Sequence, residues 1–124
     1  AAIGMIPMIA KTHANLKKIF PNGKIVIYRG VSGWIANMLK TVRDKASEKT
    51  PIPIPHDGIS GYSLNRQTAK AFSGYNGVVL KKEIPIEAAW VYFNAIDKGY
   101  ENEQEILVDS SYVSIFFKNE IENS

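Results

Sequence analysis

Apolar and polar positions follow two periods along this chain, helix-like in the first half and strand-like in the second. Across residues 5–20, Ile9, His13, Leu16, Ile19 and Phe20 fall on one stripe, which predicts a helix. Pro21-Asn22-Gly23 ends it. Lys24 to Arg29 reads as a strand with Ile25, Ile27 and Arg29 on one face, so Arg29 is expected to be partly buried. Residues 33–46 predict a second helix, with Trp34, Ile35, Met38, Leu39 and Val42 as its core stripe. Prolines 51, 53 and 55 make Thr50–Pro55 an extended loop, because proline lacks the N–H that helix and ladder need.

Ile59–Leu64 predicts a short strand, and Asn65 is placed to cap a helix over 66–73 that stops at Gly74. Strands are expected at Gly77–Ile84, Ala89–Asn94, Glu103–Val108 and Tyr112–Phe117. A polar, glycine-containing gap, Ala95–Asn102, leads into Glu103. Helices early and antiparallel-type strands late spell an α+β fold. At 124 residues the chain is read as one domain, 1–124, and it starts at Ala1, as a processed protein or a piece of a longer one would.

Composition narrows the chemistry mainly by exclusion. With no cysteine, disulfides, thiolate metal sites and cysteine nucleophiles are out. The net charge of +3 is dispersed, which permits an anionic ligand but makes no case for nucleic acid. No apolar run reaches membrane-spanning length, so no membrane partner is expected. His13 and His56 lack metal-ligand spacing and read as structural or surface residues; no metal is expected.

The candidate chemistry lies in Glu101-Asn102-Glu103-Gln104-Glu105. Glu103 and Glu105, two apart on a strand, project from the same face, and their repulsion should raise the pKa of at least one. Such a pair suits a cationic or electron-deficient substrate. Leu107 continues that face, so it is not simply solvated. Upstream are Tyr28-Arg29-Gly30 and Gly61-Tyr62-Ser63. Taken singly, each has a plainer reading: Arg29 as a surface ion pair, Ser63 and Asn65 as helix caps, the glutamates as an exposed strand face.

Taken in order, these residues resemble the Arg-Ser-Glu class of mono-ADP-ribosyltransferases. Tyr28-Arg29-Gly30 is similar to its Arg motif, Gly61-Tyr62-Ser63-Leu64-Asn65 to its Ser-Thr-Ser motif, and Glu103-Gln104-Glu105 to its Glu-x-Glu motif. Of the Ser-Thr-Ser motif only the first Ser is kept; Leu64 and Asn65 stand for the rest. The resemblance runs from about Lys24 to Phe117. It implies two packed antiparallel or mixed β-sheets flanked by helices, with NAD bound between them as a substrate. It implies transfer of ADP-ribose to an arginine of a target protein. By the same resemblance Glu105 would stabilise an oxocarbenium-like ribose and hold a ribose hydroxyl, and Glu103 would hold and deprotonate the acceptor guanidinium. Arg29 would meet the NAD phosphates or ribose, with Gly30 beside it. Ser63 would position Glu105, Asn65 would substitute for the missing Ser, Tyr62 or Phe72 would stack near the nicotinamide, and Tyr100 would contact the protein substrate. The small size is similar to phage or toxin members acting in a cytoplasm, including a host's. Two alternatives stay open: an NAD glycohydrolase, and an inactive binding module of the same fold.

Overall fold

The computed structural model describes residues 2–54, 58–92 and 105–124. In chain order the elements are α1 (Ala2–Ile19), β1 (Lys24–Val31), α2 (Gly33–Lys45), β2 (Ile52–Pro53), β3 (Ile59–Ser63), α3 (Arg66–Ser73), β4 (Val78–Pro85), β5 (Ala89–Tyr92), β6 (Glu105–Asp109), β7 (Ile115–Phe116) and β8 (Ile121–Asn123). The class is α+β, and all three α-helices among the described residues precede Gly74. The sheet arrangement differs from expectation. There is one six-stranded sheet, ordered β5-β6-β3-β1-β4-β8 with every pairing antiparallel, and a two-stranded ribbon of β2 and β7.

One sheet face is the core. The register sets Ile25 against Ile84, Arg29 against Leu80 and Tyr62 against Ile106. Ile25, Ile27, Leu80, Ile84, Ile106 and Val108 are buried there with Leu16 of α1 and Phe116 of β7. Lys82 also lies on this face and is fully engaged. Its ammonium stands 5.1 and 5.5 Å from the ring centres of Phe116 and Phe117, donates to Ile115 O at 2.8 Å and pairs with Glu120 at 3.1 Å. A cation held by two ring faces and a carboxylate pins the small ribbon to the main sheet.

Both edges of the large sheet are closed by helix side chains, which matters because an open edge is a template for another chain. At β5, Tyr92 N–H donates to Thr12 Oγ1 at 2.9 Å and His13 Nε2 donates to Ala89 O at 2.8 Å, both from α1. At β8, Arg43 of α2 donates to Ile121 O at 3.0 Å and to Asn123 Oδ1 at 2.8 Å.

That arginine explains a correction on α2. Ala36 and Leu39 are the residues it buries, while Trp34, Ile35, Met38 and Val42 are exposed. Periodicity finds an apolar stripe but not the face that meets the sheet. Here Arg43 on β8 and Lys40, donating to Asn76 O at 2.6 Å, fix the rotation, keeping Leu39 of the stripe buried and turning the rest of it outward. In α1, Ile19 is likewise exposed, and the helix starts at Ala2 with Pro7 inside it. Tyr112–Phe117 is not one strand. Asp109 Oδ1 accepts from Ser111 N–H and Oγ, closing a 3-10 turn over Ser110–Val113 before β7. Thr50–Pro55 contains β2, and β8 was not expected at all; Ile121 is its one buried residue. Among the described residues, no helix is long and apolar enough to cross a membrane.

The opposite face of the sheet carries α3, seated on β1 at Gly30. A Cβ on Gly30 would overlap the Ala69 carbonyl oxygen and stand 2.6 Å from Ser73 N. Since both are backbone atoms of a helix, neither yields cheaply. Gly30→Ala should therefore lower unfolding free energy by about 2–3 kcal/mol in urea melts, at the upper end of overpacking costs. Gly61→Ala is the control: its Cβ would meet nothing closer than 3.6 Å, so its stability should stay close to wild type. Equal effects from the two substitutions would contradict the close contact.

Candidate active site

Three neighbouring strands lay the site out by register alone. Tyr28 of β1 pairs with Ser63 of β3, and Ser63 pairs with Glu105 of β6. Paired residues share a face, so Tyr28, Ser63 and Glu105 form a row across the sheet. Alternation puts Gly30 and Gly61 on that same face. It is also the face on which α3 sits. Between the row and the helix lies a cleft of about 370 Å³, lined by Tyr28, Arg29, Gly30, Gly61, Tyr62, Ser63, Thr68, Ala69, Phe72 and Glu105. That volume is within the range of small-molecule sites, roughly 300–1,000 Å³.

Local hydrogen bonds in the β3–α3 turn position the helix that walls the cleft. Ser63 Oγ accepts from Asn65 N–H at 2.9 Å, and Asn65 Oδ1 accepts from Gln67 N–H at 2.9 Å. The second bond is an N-cap, so α3 starts where the sequence places it. Gly74 ends it with a φ of 70°, a left-handed conformation that glycine adopts without strain. Thr68 and Phe72, four apart, lie on one face of α3 and border the cleft with Ala69 between them. Phe72 is 69% exposed, an apolar ring open to a ligand.

The glutamate and the arginine are held differently. Glu105 leans toward β3, where the missing side chain of Gly61 leaves room; a Cβ there would be 3.6 Å from Glu105 Oε1. Among the described residues, no hydrogen bond or ion pair engages the Glu105 carboxylate. Arg29 is exposed, not partly buried as its face suggests. It alternates to the core face but at the end of the strand, where the core gives way to solvent, and its guanidinium stands 5.8 Å from the Tyr62 ring centre. Among the described residues no carboxylate pairs with it. Tyr62 itself is 3% exposed. Burial holds its phenol well above the ordinary tyrosine range, and the positive charge of Arg29 draws it back only in part.

Of the residues singled out in the sequence, the structure brings Arg29, Gly30, Tyr62, Ser63, Phe72 and Glu105 to one cleft. Asn65 is not in the lining; its side-chain oxygen accepts the helix-capping bond. Tyr62 lies with its ring in the core, which does not suit a ring stacked on a ligand. Glu103, Tyr100 and His56 lie outside the described residues. His13 serves the β5 edge. Tyr28, Gly61, Thr68 and Ala69 were missed as lining residues. A helical-wheel reading from the Asn65 cap finds Thr68, since it precedes Phe72 by one turn; Gly61 carried no signal of its own. Among the described residues, no group of three or more acidic or histidine side chains could hold a metal ion. No protein-family model matches this chain, and no curated protein matches it significantly.

Proposed function

We propose that this chain is a mono-ADP-ribosyltransferase catalytic domain of the Arg-Ser-Glu class, transferring ADP-ribose from NAD to an arginine of a target protein. One observation carries the reading. Arg29, Ser63 and Glu105, far apart in sequence, line a single cleft on three adjacent strands. A cation and an acid, unpaired among the described residues, at one small-molecule cleft suit a ligand bearing both anionic phosphates and a carbon that becomes positive. NAD has both.

The reaction breaks the bond between nicotinamide and the ribose C1′. The bonding electrons leave with nicotinamide, which departs neutral because it was a cationic pyridinium. Positive charge grows on C1′ and the ring oxygen, as in glycoside cleavage. A carboxylate aimed at that charge stabilises it more in the transition state than in the ground state. Glu105 fills this role, with its carboxylate over Gly61 and no competing partner among the described residues. Arg29 offers a planar guanidinium to the phosphates, and a planar fork suits bidentate contact with them. The acceptor is a guanidinium nitrogen, which needs a base because arginine is otherwise always protonated. Glu103 takes that proton as the new bond to C1′ forms, and it holds the acceptor by charge. Phe72 supplies apolar surface at the cleft mouth.

Three substitutions test these roles. Glu105→Gln is nearly isosteric and should slow nicotinamide release roughly 100- to 1000-fold, the usual effect of losing one such electrostatic contact, with the melting curve unchanged. Near-normal release would rule Glu105 out as the stabilising group. Arg29→Lys keeps the charge but loses the fork, so calorimetric titration should give weaker NAD binding; equal affinity would mean Arg29 does not meet the cofactor. Glu103→Gln separates the two acceptors. It should retain much of the NAD hydrolysis to water and lose most of the labelling of protein arginine by NAD, measured in parallel. A parallel fall of both activities would assign Glu103 to bond breaking, and labelling that survives would exclude arginine held by Glu103.

A further inference from the structure

The long side chain of Arg29 needs a reason to be in place before a ligand arrives. An arginine free to sample its rotamers loses that freedom on binding, which weakens affinity. A neighbouring carboxylate can do the aiming, but it also occupies the N–H edges that an anion would use. Here, among the described residues, no carboxylate pairs with Arg29. What stands beneath it is the Tyr62 ring, 5.8 Å from the guanidinium carbon and within cation–π range.

The pairing is built into the sheet. Tyr28 and Ser63 are partners across β1 and β3, and one step along the same antiparallel register sets Arg29 opposite Tyr62. Cross-strand neighbours on one face touch through their side chains. The ring cannot drift, since Tyr62 is 3% exposed, pairs across to Ile106 and belongs to the core cluster. Its buried phenol stays neutral, so it adds no charge that would cancel the guanidinium. A ring face holds a planar cation by its flat side and leaves its donor edges open.

We propose that Tyr62 is the positioning residue for Arg29: its buried ring is the platform that aims the guanidinium at the anionic part of the ligand, and it acts through Arg29. This rests on the reading of Arg29 as the NAD-phosphate contact given above. It replaces a stacking role for Tyr62 on the nicotinamide, which its burial opposes.

Two readouts test it, and the first needs no ligand. In ¹⁵N-labelled protein the Arg29 Nε–H resonance should carry an upfield ring-current shift. That shift should persist in Tyr62→Phe and vanish in Tyr62→Leu and Tyr62→Met, the second ringless variant guarding against a misfolded first. An unshifted Arg29 resonance in the wild type would overturn the proposal. The second readout is NAD affinity by calorimetry. The ringless variants should bind about threefold to tenfold more weakly, in line with a partly exposed cation–π contact, and Tyr62→Phe should retain most of what they lose. In an Arg29→Met background the Tyr62→Leu effect should disappear, because the platform then has nothing to aim. A loss that persists undiminished without Arg29, or a Tyr62→Phe as weak as Tyr62→Leu, would also overturn it. If the wild type binds no NAD, the proposed function fails while the resonance shift still decides the Arg29–Tyr62 pair.

Discussion

The seating of α3 on β1 at Gly30 is the contact on which the rest of the site depends. The helix approaches so closely that its Ala69 carbonyl lies where any side chain on Gly30 would begin. Such an approach is possible only over a residue without Cβ, and it brings the Thr68–Phe72 face down beside the sheet. The same contact buries Ala69 and Ser73 of the helix and Val79 of β4 beneath it. One wall of the cleft is thus a helix held by close backbone packing. Its floor is a row of residues held by strand register.

The sheet divides its labour by face. The core face takes Ile25, Ile27, Leu80, Ile84, Ile106 and Val108, and its apolar burial is the main favourable contribution to folding. The other face carries α3 and, beside it, the cleft. Pairing Tyr28, Ser63 and Glu105 across three strands places polar groups side by side at little conformational cost, because the ladder has already ordered their backbones. Arg29 belongs to the core face but stands at its margin, where it can be exposed and still rest on the buried Tyr62. Polar reach and packing meet at that margin.

Side chains from the helices close what the strands leave open. Thr12 and His13 satisfy β5, and Arg43 satisfies β8. The outward turn of Trp34, Ile35, Met38 and Val42 on α2 follows from this arrangement, since the helix faces the sheet with the residues that reach the β8 backbone. An apolar stripe on the surface is thus what remains after a polar anchor has chosen the helix rotation.

Local chemistry made much of this legible in the sequence. The Asn65 cap and Gly74 stop of α3, the α2 boundaries within a residue, the proline-broken segment after α2 and the α+β class all follow from residues acting on their neighbours. Arg29, Ser63 and Glu105 were singled out in the sequence by their order along the chain, and all three line the cleft, whereas Thr68 on its helical wall was not. What only the tertiary structure decided was orientation. Which face of α2 meets the sheet depends on a hydrogen bond to β8, a strand nearly eighty residues away with little apolar signal. Whether Asp109–Val113 extends or turns depends on one carboxylate capturing its neighbours' N–H and O–H. Tyr62 points into the core and Asn65 away from the cleft because strand alternation and helix capping bind each side chain to one direction. A sequence specifies such periods and caps by local contacts. The choice among faces is made by partners distant along the chain, and those meet only once the sheet has formed.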